Sequence, residues 1–209
     1  ARAAAVSARD AILADVRAAL ARPWPTTHAA PGPAWPAQAA AAPADPAAAF
    51  RAKVESVGAF WHDAKDRTAA AAVVDALPLA EGPLWVTTDG LPLRRGPVLR
   101  TPPPRAAFDT LAAAVTGVTA AIVETGSLAL FYGPGAGRLS SLVVPVHVAV
   151  VERAQLVPTL DEFLARVRGH LGPRSAAVLV TGPSRSADIE QVITVGVHGP
   201  RELHVVFID

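Results

Sequence analysis

From residue 84 onward, short runs of β-branched and aliphatic residues recur at 84–87, 97–100, 118–123, 127–132, 146–151, 176–181 and 203–208. Helical patterns fall between several of them, at 106–115, 159–168 and 187–194. Parallel neighbours in a sheet need a crossover connection, usually a helix, so this alternation predicts an α/β fold. The expected architecture is a largely parallel sheet with helices on both faces. A Gly-rich stretch separates 127–132 from 146–151, and this pair is expected to depart from the regular alternation.

Ahead of this region the texture differs. Residues 3–21 carry Ile12, Leu13, Val16 and Leu20 at helical spacing, with Ser7 placed to cap and Asp10 three residues later. Residues 22–46 then hold seven of the 20 prolines, together with Trp24 and Trp35. Proline removes backbone donors, so this stretch is a linker or an extended arm, and its tryptophans are expected to pack on the chain's own domain, the alternative being a neighbour. A second helix is expected to open at Asp45-Pro46 and run through Phe50, Val54, Val57, Phe60 and Trp61, followed by another near 69–77. The expected organisation is an N-terminal helix with a Pro-rich arm over 1–45, then an α/β domain over 46–209.

With 209 residues and 51% hydrophobic, the chain has enough apolar surface for a sizeable core. Nineteen Lys plus Arg against 18 Asp plus Glu leave a net charge of +1, without the basic stripe of a nucleic-acid binder. Arg94, Arg95, Arg100 and Arg105 form only a loose cluster interrupted by prolines. There is no cysteine, so the chain carries no disulfide, no thiolate zinc site and no cysteine-ligated iron–sulfur cluster. That composition fits a reducing cytoplasm, the expected location. No apolar stretch approaches the roughly 20 residues of a membrane-spanning helix. Arg9, Asp10, Asp15 and Arg17 near the N-terminus argue against a signal peptide.

Four segments hold the residue types that chemistry needs. Glu124, Thr125, Gly126 and Ser127 lie where one apolar run ends and the next begins. Ligands collect at the carboxyl ends of strands in open α/β sheets, where Glu124 could act as base, nucleophile or hydroxyl acceptor. A glycine turn with Glu124 bonded to backbone fits the same residues, and both readings stand. Next comes a Gly-rich stretch with Gly133, Gly135, Gly137 and Arg138, either an anion cradle or a plain loop. Arg138 occupies the sixth position of G-x-G-x-x-G, which rules out the dinucleotide fingerprint. In the third segment, Gly182 turns the chain after Thr181. Ser184 or Ser186 is expected to cap a helix with Asp188 and Glu190 in its first turn and Arg185 beside an anion. The fourth holds His198 on a bend between Gly196 and Gly199, with Arg201 following. His147 and His204 lie in strand runs, and without H-E-x-x-H spacing no metal site is expected.

In order, VETGSLAL, GPGAGRLSSLVVPVHVAVV, VTGPSRSADIE and GVHGPRELHVVFID resemble the signature of the lactate-utilisation protein C family, the LUD domain. That pattern reads E-T-G-T, G-R-x-x-S-L-x-P, G-P-S-x-x-x-D-I-E and G-V-H-G-P. The resemblance is close over 117–209, loose from about 46, and does not reach the Pro-rich arm. Ser127 stands where threonine is usual, and the chain is about three residues shorter than the family pattern near Thr119–Ala121. The resemblance implies a fold similar to the sugar-phosphate isomerase and CoA-transferase-like superfamily. It also implies a role beside cysteine-rich iron–sulfur partner subunits in oxidising L-lactate to pyruvate, with no cofactor on this chain.

The leading expectation is therefore a non-cluster subunit that binds a small anion. Its site is expected to combine Glu124 and His198 as catalytic residues with Thr125, Gly126, Ser127, Gly135, Gly137, Arg138, Gly182, Ser184, Arg185, Ser186, Asp188 and Arg201 around the ligand. Glu124, Gly126, Arg138, Ser184, Asp188 and His198 are expected to share one cleft. The alternatives are a self-sufficient transferase or isomerase using Glu124, and a regulatory or scaffolding subunit.

Overall fold

Among the described residues, six strands lie side by side in one sheet with all neighbours parallel, in the order β1-β12-β7-β4-β2-β3. They are β1 (Phe60–Ala64), β2 (Leu84–Val86), β3 (Val98–Leu99), β4 (Ala113–Gly117), β7 (Val146–Glu152) and β12 (Glu202–Ile208). This is a computed structural model, and it describes residues 8–21, 43–133, 137–168, 176–187, 193–196 and 198–209. A second sheet, mixed in direction, has the order β8-β5-β6-β9. It consists of β5 (Ala120–Ile122), β6 (Ser127–Tyr132), β8 (Leu156–Val157) and β9 (Ala176–Val180). An antiparallel pair, β10 (Arg185–Ala187) and β11 (Ile193–Val195), completes the strands among the described residues.

The parallel sheet is buried on both faces, as its long apolar runs require. On one face Val86, Val115, Val148, Val150, Val206 and Ile208 pack with Ala70, Ala71 and Val74 of helix α3 (Arg67–Ala76). On the other, Ala149, Val151, Leu203, Val205 and Phe207 meet Phe50 and Val54 of helix α2 (Pro46–Ser56), together with Leu128 and Leu130 of the second sheet. The expected α/β class and parallel sheet are present. The second face is covered jointly by a helix and a sheet, not by helices alone.

Three sequence expectations are corrected. The helix expected through Phe60 and Trp61 stops at Ser56, and Phe60 begins β1. Gly58 takes φ +82, and the amides of Gly58 and Ala59 bond back to the carbonyls of Glu55 and Val54. This is a Schellman stop, which a side chain with a Cβ would disfavour. The helix expected over 106–115 is a short 3-10 turn (Arg105–Thr110) followed by β4, because the run Ala112–Val115 is buried on both faces. The helix expected over 187–194 is replaced, where described, by strands β10 and β11, and the β-branched run Ile193-Thr194-Val195 suits strand pairing. Residues 188–192 lie outside the described residues.

The chain divides into two units, Ala1–Ala39 and Ala40–Asp209. Within the first, helix α1 (Ala8–Leu20) carries Ile12, Val16 and Leu20 as an exposed apolar stripe. Trp24 and Trp35 fall outside the described residues. No helix among the described residues is long and apolar enough to cross a membrane.

Candidate functional site

Helix α2 explains much of the first and third motifs. Asp45 caps it, accepting the amides of Ala47 and Ala48, and Pro46 occupies the first turn. Gly126 then lies against it at φ +69, and a Cβ there would stand 2.9 Å from the Lys53 Cβ and 3.1 Å from the Val54 nitrogen. Gly182, at φ +80, makes the same approach to Val57, where a Cβ would meet the Val57 carbonyl oxygen at 2.8 Å. Arg185 donates from Nη2 to that carbonyl at 2.9 Å. Between the two glycines, Thr125 donates to the Ser127 hydroxyl at 2.8 Å, and Ser127 shares a 2.6 Å hydrogen bond with Thr181. Thr125, Gly126, Ser127, Gly182 and Arg185 thus seat the ends of β6 and β9 on α2.

Glu124 sits apart from the other acid–base candidate. Its Oε2 accepts the amide of Leu160 at 3.2 Å, at the start of helix α4 (Leu160–Val167), where Thr159 caps by accepting from Glu162. A carboxylate is well placed there, because unpaired amides and the helix dipole both favour negative charge. Glu124 lines a small cleft of about 270 Å³ with Lys53, Pro158 and Thr159. Of its two readings from sequence, the structure displays the backbone-bonded one.

His198 and Arg201 come together elsewhere, in a cleft of about 550 Å³. Leu111 lies two residues before β4, and Pro145 and Arg201 immediately precede β7 and β12, so this cleft opens at the amino ends of the parallel strands, not the carboxyl ends. Its walls come from the second and fourth motifs, with Leu142, Val143, Val144 and Pro145 facing Gly196, His198, Gly199 and Arg201. Phe108 and Asp109 close one side. The Arg201 amide bonds to the Pro145 carbonyl at 2.8 Å, and the Ser184 amide to that of Pro200. Gly196, at φ +77, lets the chain fold onto Arg201, whose Cγ would lie 2.1 Å from a Cβ at that position. Gly199 packs similarly on Ser184, with a Cβ distance of 3.0 Å. His198 and Arg201 are exposed at the cleft, and Asp109 is the acidic residue among its described lining.

The second motif divides. Arg138 is exposed at the start of a 3-10 turn (Arg138–Ser141), while Ser141 is buried and accepts the Tyr132 hydroxyl at 3.0 Å. Gly137 lies against the Trp85 indole, 1.9 Å from Cζ2 if a Cβ were added. Gly135, with Pro134 and Ala136, lies outside the described residues, as does Asp188. Ser186 belongs to β10, and residues 188–192, where the capped helix was expected, lie outside the described residues. The expected common cleft is therefore divided: Glu124 lines one cleft and His198 another, with Ser184 packed behind the second. Phe108 and Asp109 were not singled out from sequence, because the misread helix over 106–115 concealed the turn that presents them.

Beneath this region His147, fully buried on β7, hydrogen-bonds through Nε2 to the Thr116 hydroxyl at 2.8 Å. Burial pushes its pKa down from 6.5 to about 4, so the imidazole is neutral near pH 7. Its role is internal to the sheet, since neither residue lines a described cleft.

The fold is of the α/β class, and its Gly-rich motifs frame a cleft that holds a guanidinium and an imidazole. The particular family is shown by comparison. The LUD domain model matches residues 104–208, half of the chain, and the chain belongs to that family. It is 36% identical over 92 residues to a Lactate utilization protein C of Geobacillus sp. (strain WCH70), covering 42% of this chain and 38% of that protein. Against the Lactate utilization protein C of Deinococcus radiodurans it is 37% identical over 114 residues, 53% of this chain and 54% of that one. The matches thus span about half, or less, of these relatives' length. The crystal structure of a DUF162 family protein from Deinococcus radiodurans superposes with a TM-score of 0.61 at 27% identity, covering 80% of this chain and all of that one.

Proposed function

We propose that this chain is a non-iron–sulfur subunit of a lactate-utilisation system, binding a small carboxylate in the cleft that holds His198 and Arg201. The observation that carries the reading is the meeting of the second and fourth motifs around those two side chains, in a LUD domain whose relatives bear the name Lactate utilization protein C. Arg201 offers a planar fork that matches a carboxylate, and its stem is held against Gly196. His198 can donate to or accept from the hydroxyl of a 2-hydroxy acid.

Oxidation of L-lactate to pyruvate removes two electrons, and ordinary side chains do not accept them. Cysteine-rich iron–sulfur subunits are the partners we assign to that task, with this chain binding and orienting the acid. A self-sufficient transferase or isomerase built on Glu124 is less well supported, since Glu124 is engaged at the start of α4 and lines a different cleft from His198.

The test is calorimetric titration of the purified chain with L-lactate and pyruvate. One of the two should bind, and Arg201→Lys should weaken it by about 1–3 kcal/mol by losing the bidentate fork. Native affinity retained in both Arg201→Lys and Arg201→Gln would place the carboxylate elsewhere.

A further inference from the structure

A third cleft, of about 530 Å³, opens at the ends of the parallel strands opposite the His198 cleft. As β2 ends at Val86 the chain supplies Thr87, Thr88 and Asp89, and as β4 ends at Gly117 it supplies Val118 and Thr119. Arg100 follows β3, and Arg67 begins α3 after β1. Carboxyl ends of parallel strands are where open α/β sheets gather ligands.

The two guanidinium groups are not equivalent. Arg67 donates from Nη2 to the Glu152 carboxylate and from Nη1 to the Asp89 carbonyl, so its charge is matched. Arg100 donates from Nη1 to the neutral Thr88 carbonyl at 2.6 Å, and no ion pair compensates its charge among the described residues. The bond to the Thr88 carbonyl ties the guanidinium to the segment that carries Thr87 and Thr88, both of which line the cleft. Gly117 leaves room for one of them, since a Cβ there would stand 3.1 Å from the Thr88 Oγ1. Trp85 is buried, lines the cleft, and its indole N–H has no hydrogen-bond partner among the described residues. Asp89 contributes an acidic side chain suited to accepting from ligand hydroxyls.

We propose that this cleft is a second binding site, taking a small hydroxylated oxyanion. Arg100 pairs the oxyanion, Thr87 and Thr88 donate to its remaining oxygens, and Asp89 accepts from its hydroxyls. A carboxylate and a phosphate share this chemistry, and two probes separate them.

The reporter is the Trp85 indole N–H in a two-dimensional amide spectrum of the full chain, assigned by its loss in Trp85→Phe. Titration with D-gluconate and with D-ribose 5-phosphate should shift that resonance saturably for at least one probe, and which one identifies the oxyanion. Arg100→Gln should weaken the response by about tenfold or more, as expected for losing a charge-assisted hydrogen bond. Arg201→Gln, in the other cleft, should leave it unchanged. Should Arg100→Gln alter the dispersion of the whole spectrum, Thr87→Ala makes the same test with a smaller expected loss. The proposal is overturned if neither probe moves Trp85, or if the affinity survives in both Arg100→Gln and Thr87→Ala.

Discussion

Replacing Gly126 by alanine should be among the most damaging single-methyl additions to this domain. Two costs combine. An L-residue at φ +69 is in the left-handed region, a penalty of about 1–2 kcal/mol. The new methyl would also stand 2.9 Å from the Lys53 Cβ, 3.0 Å from the Lys53 carbonyl carbon and 3.1 Å from the Val54 nitrogen. Carbon atoms pack comfortably only near 3.5–4.0 Å, and two of those three contacts are helix backbone that cannot rotate away. Shifting α2 disturbs the burial of Phe50 and Val54, and overpacking of this kind costs roughly 1–3 kcal/mol. The expected loss is about 2–5 kcal/mol, a large part of a typical domain's stability. Gly90→Ala supplies the control. Its φ of +70 is almost the same, but its Cβ would meet only the flexible Arg67 side chain, at 3.3 Å and beyond. Urea unfolding of the two variants compares like with like. If Gly126→Ala costs no more than Gly90→Ala, the seating of the first motif on α2 is wrong.

Acidification should weaken the fold through His147. Its folded-state pKa is depressed to about 4 against 6.5, so its contribution is complete above pH 6.5 and is lost as pH falls towards 4. The order of magnitude is about 3 kcal/mol, and His147→Leu should flatten the pH dependence of urea midpoints across that window by a comparable amount. An equally steep profile in the variant would assign the acid sensitivity to other groups. Glu124→Gln keeps an acceptor for the Leu160 amide but removes the charge at the start of α4, so it should cost about 0.3–1 kcal/mol and leave lactate affinity unchanged. Loss of binding with stability intact would restore Glu124 to the ligand site.

Much of the sheet was legible because its strands are buried on both faces and therefore read as unbroken apolar runs. The runs at 127–132, 146–151 and 203–208 coincide with β6, β7 and β12 to within a residue. Strand β1 was hidden because Phe60 and Trp61 continue the helical spacing of Phe50, Val54 and Val57. Gly58, placed just after the last helical turn, was the overlooked stop signal. The acids Asp188 and Glu190 suggested a helix's first turn, while Ile193-Thr194-Val195 nearby favoured the pairing that β11 makes with β10. For the site, the motifs were visible but their reasons were not. Gly126 and Gly182 are required by the surface of α2, an element distant in sequence, so a glycine read as ligand-approaching turned out to be helix-approaching. His198 and Arg201 were recognisable as a pair by closeness in sequence. Their companions Phe108 and Asp109 come from a different turn and carry no local pattern that marks them.

The partner-dependent role is tested most directly by measuring pyruvate formed from L-lactate with an artificial electron-accepting dye, using the purified chain alone and then with cysteine-rich iron–sulfur proteins recovered with it from cells. No turnover is expected from the chain alone, and turnover is expected on mixing, falling when Arg201→Gln replaces the native chain. Sustained pyruvate formation by the isolated chain, or a mixture whose rate is the same without it, would contradict the account.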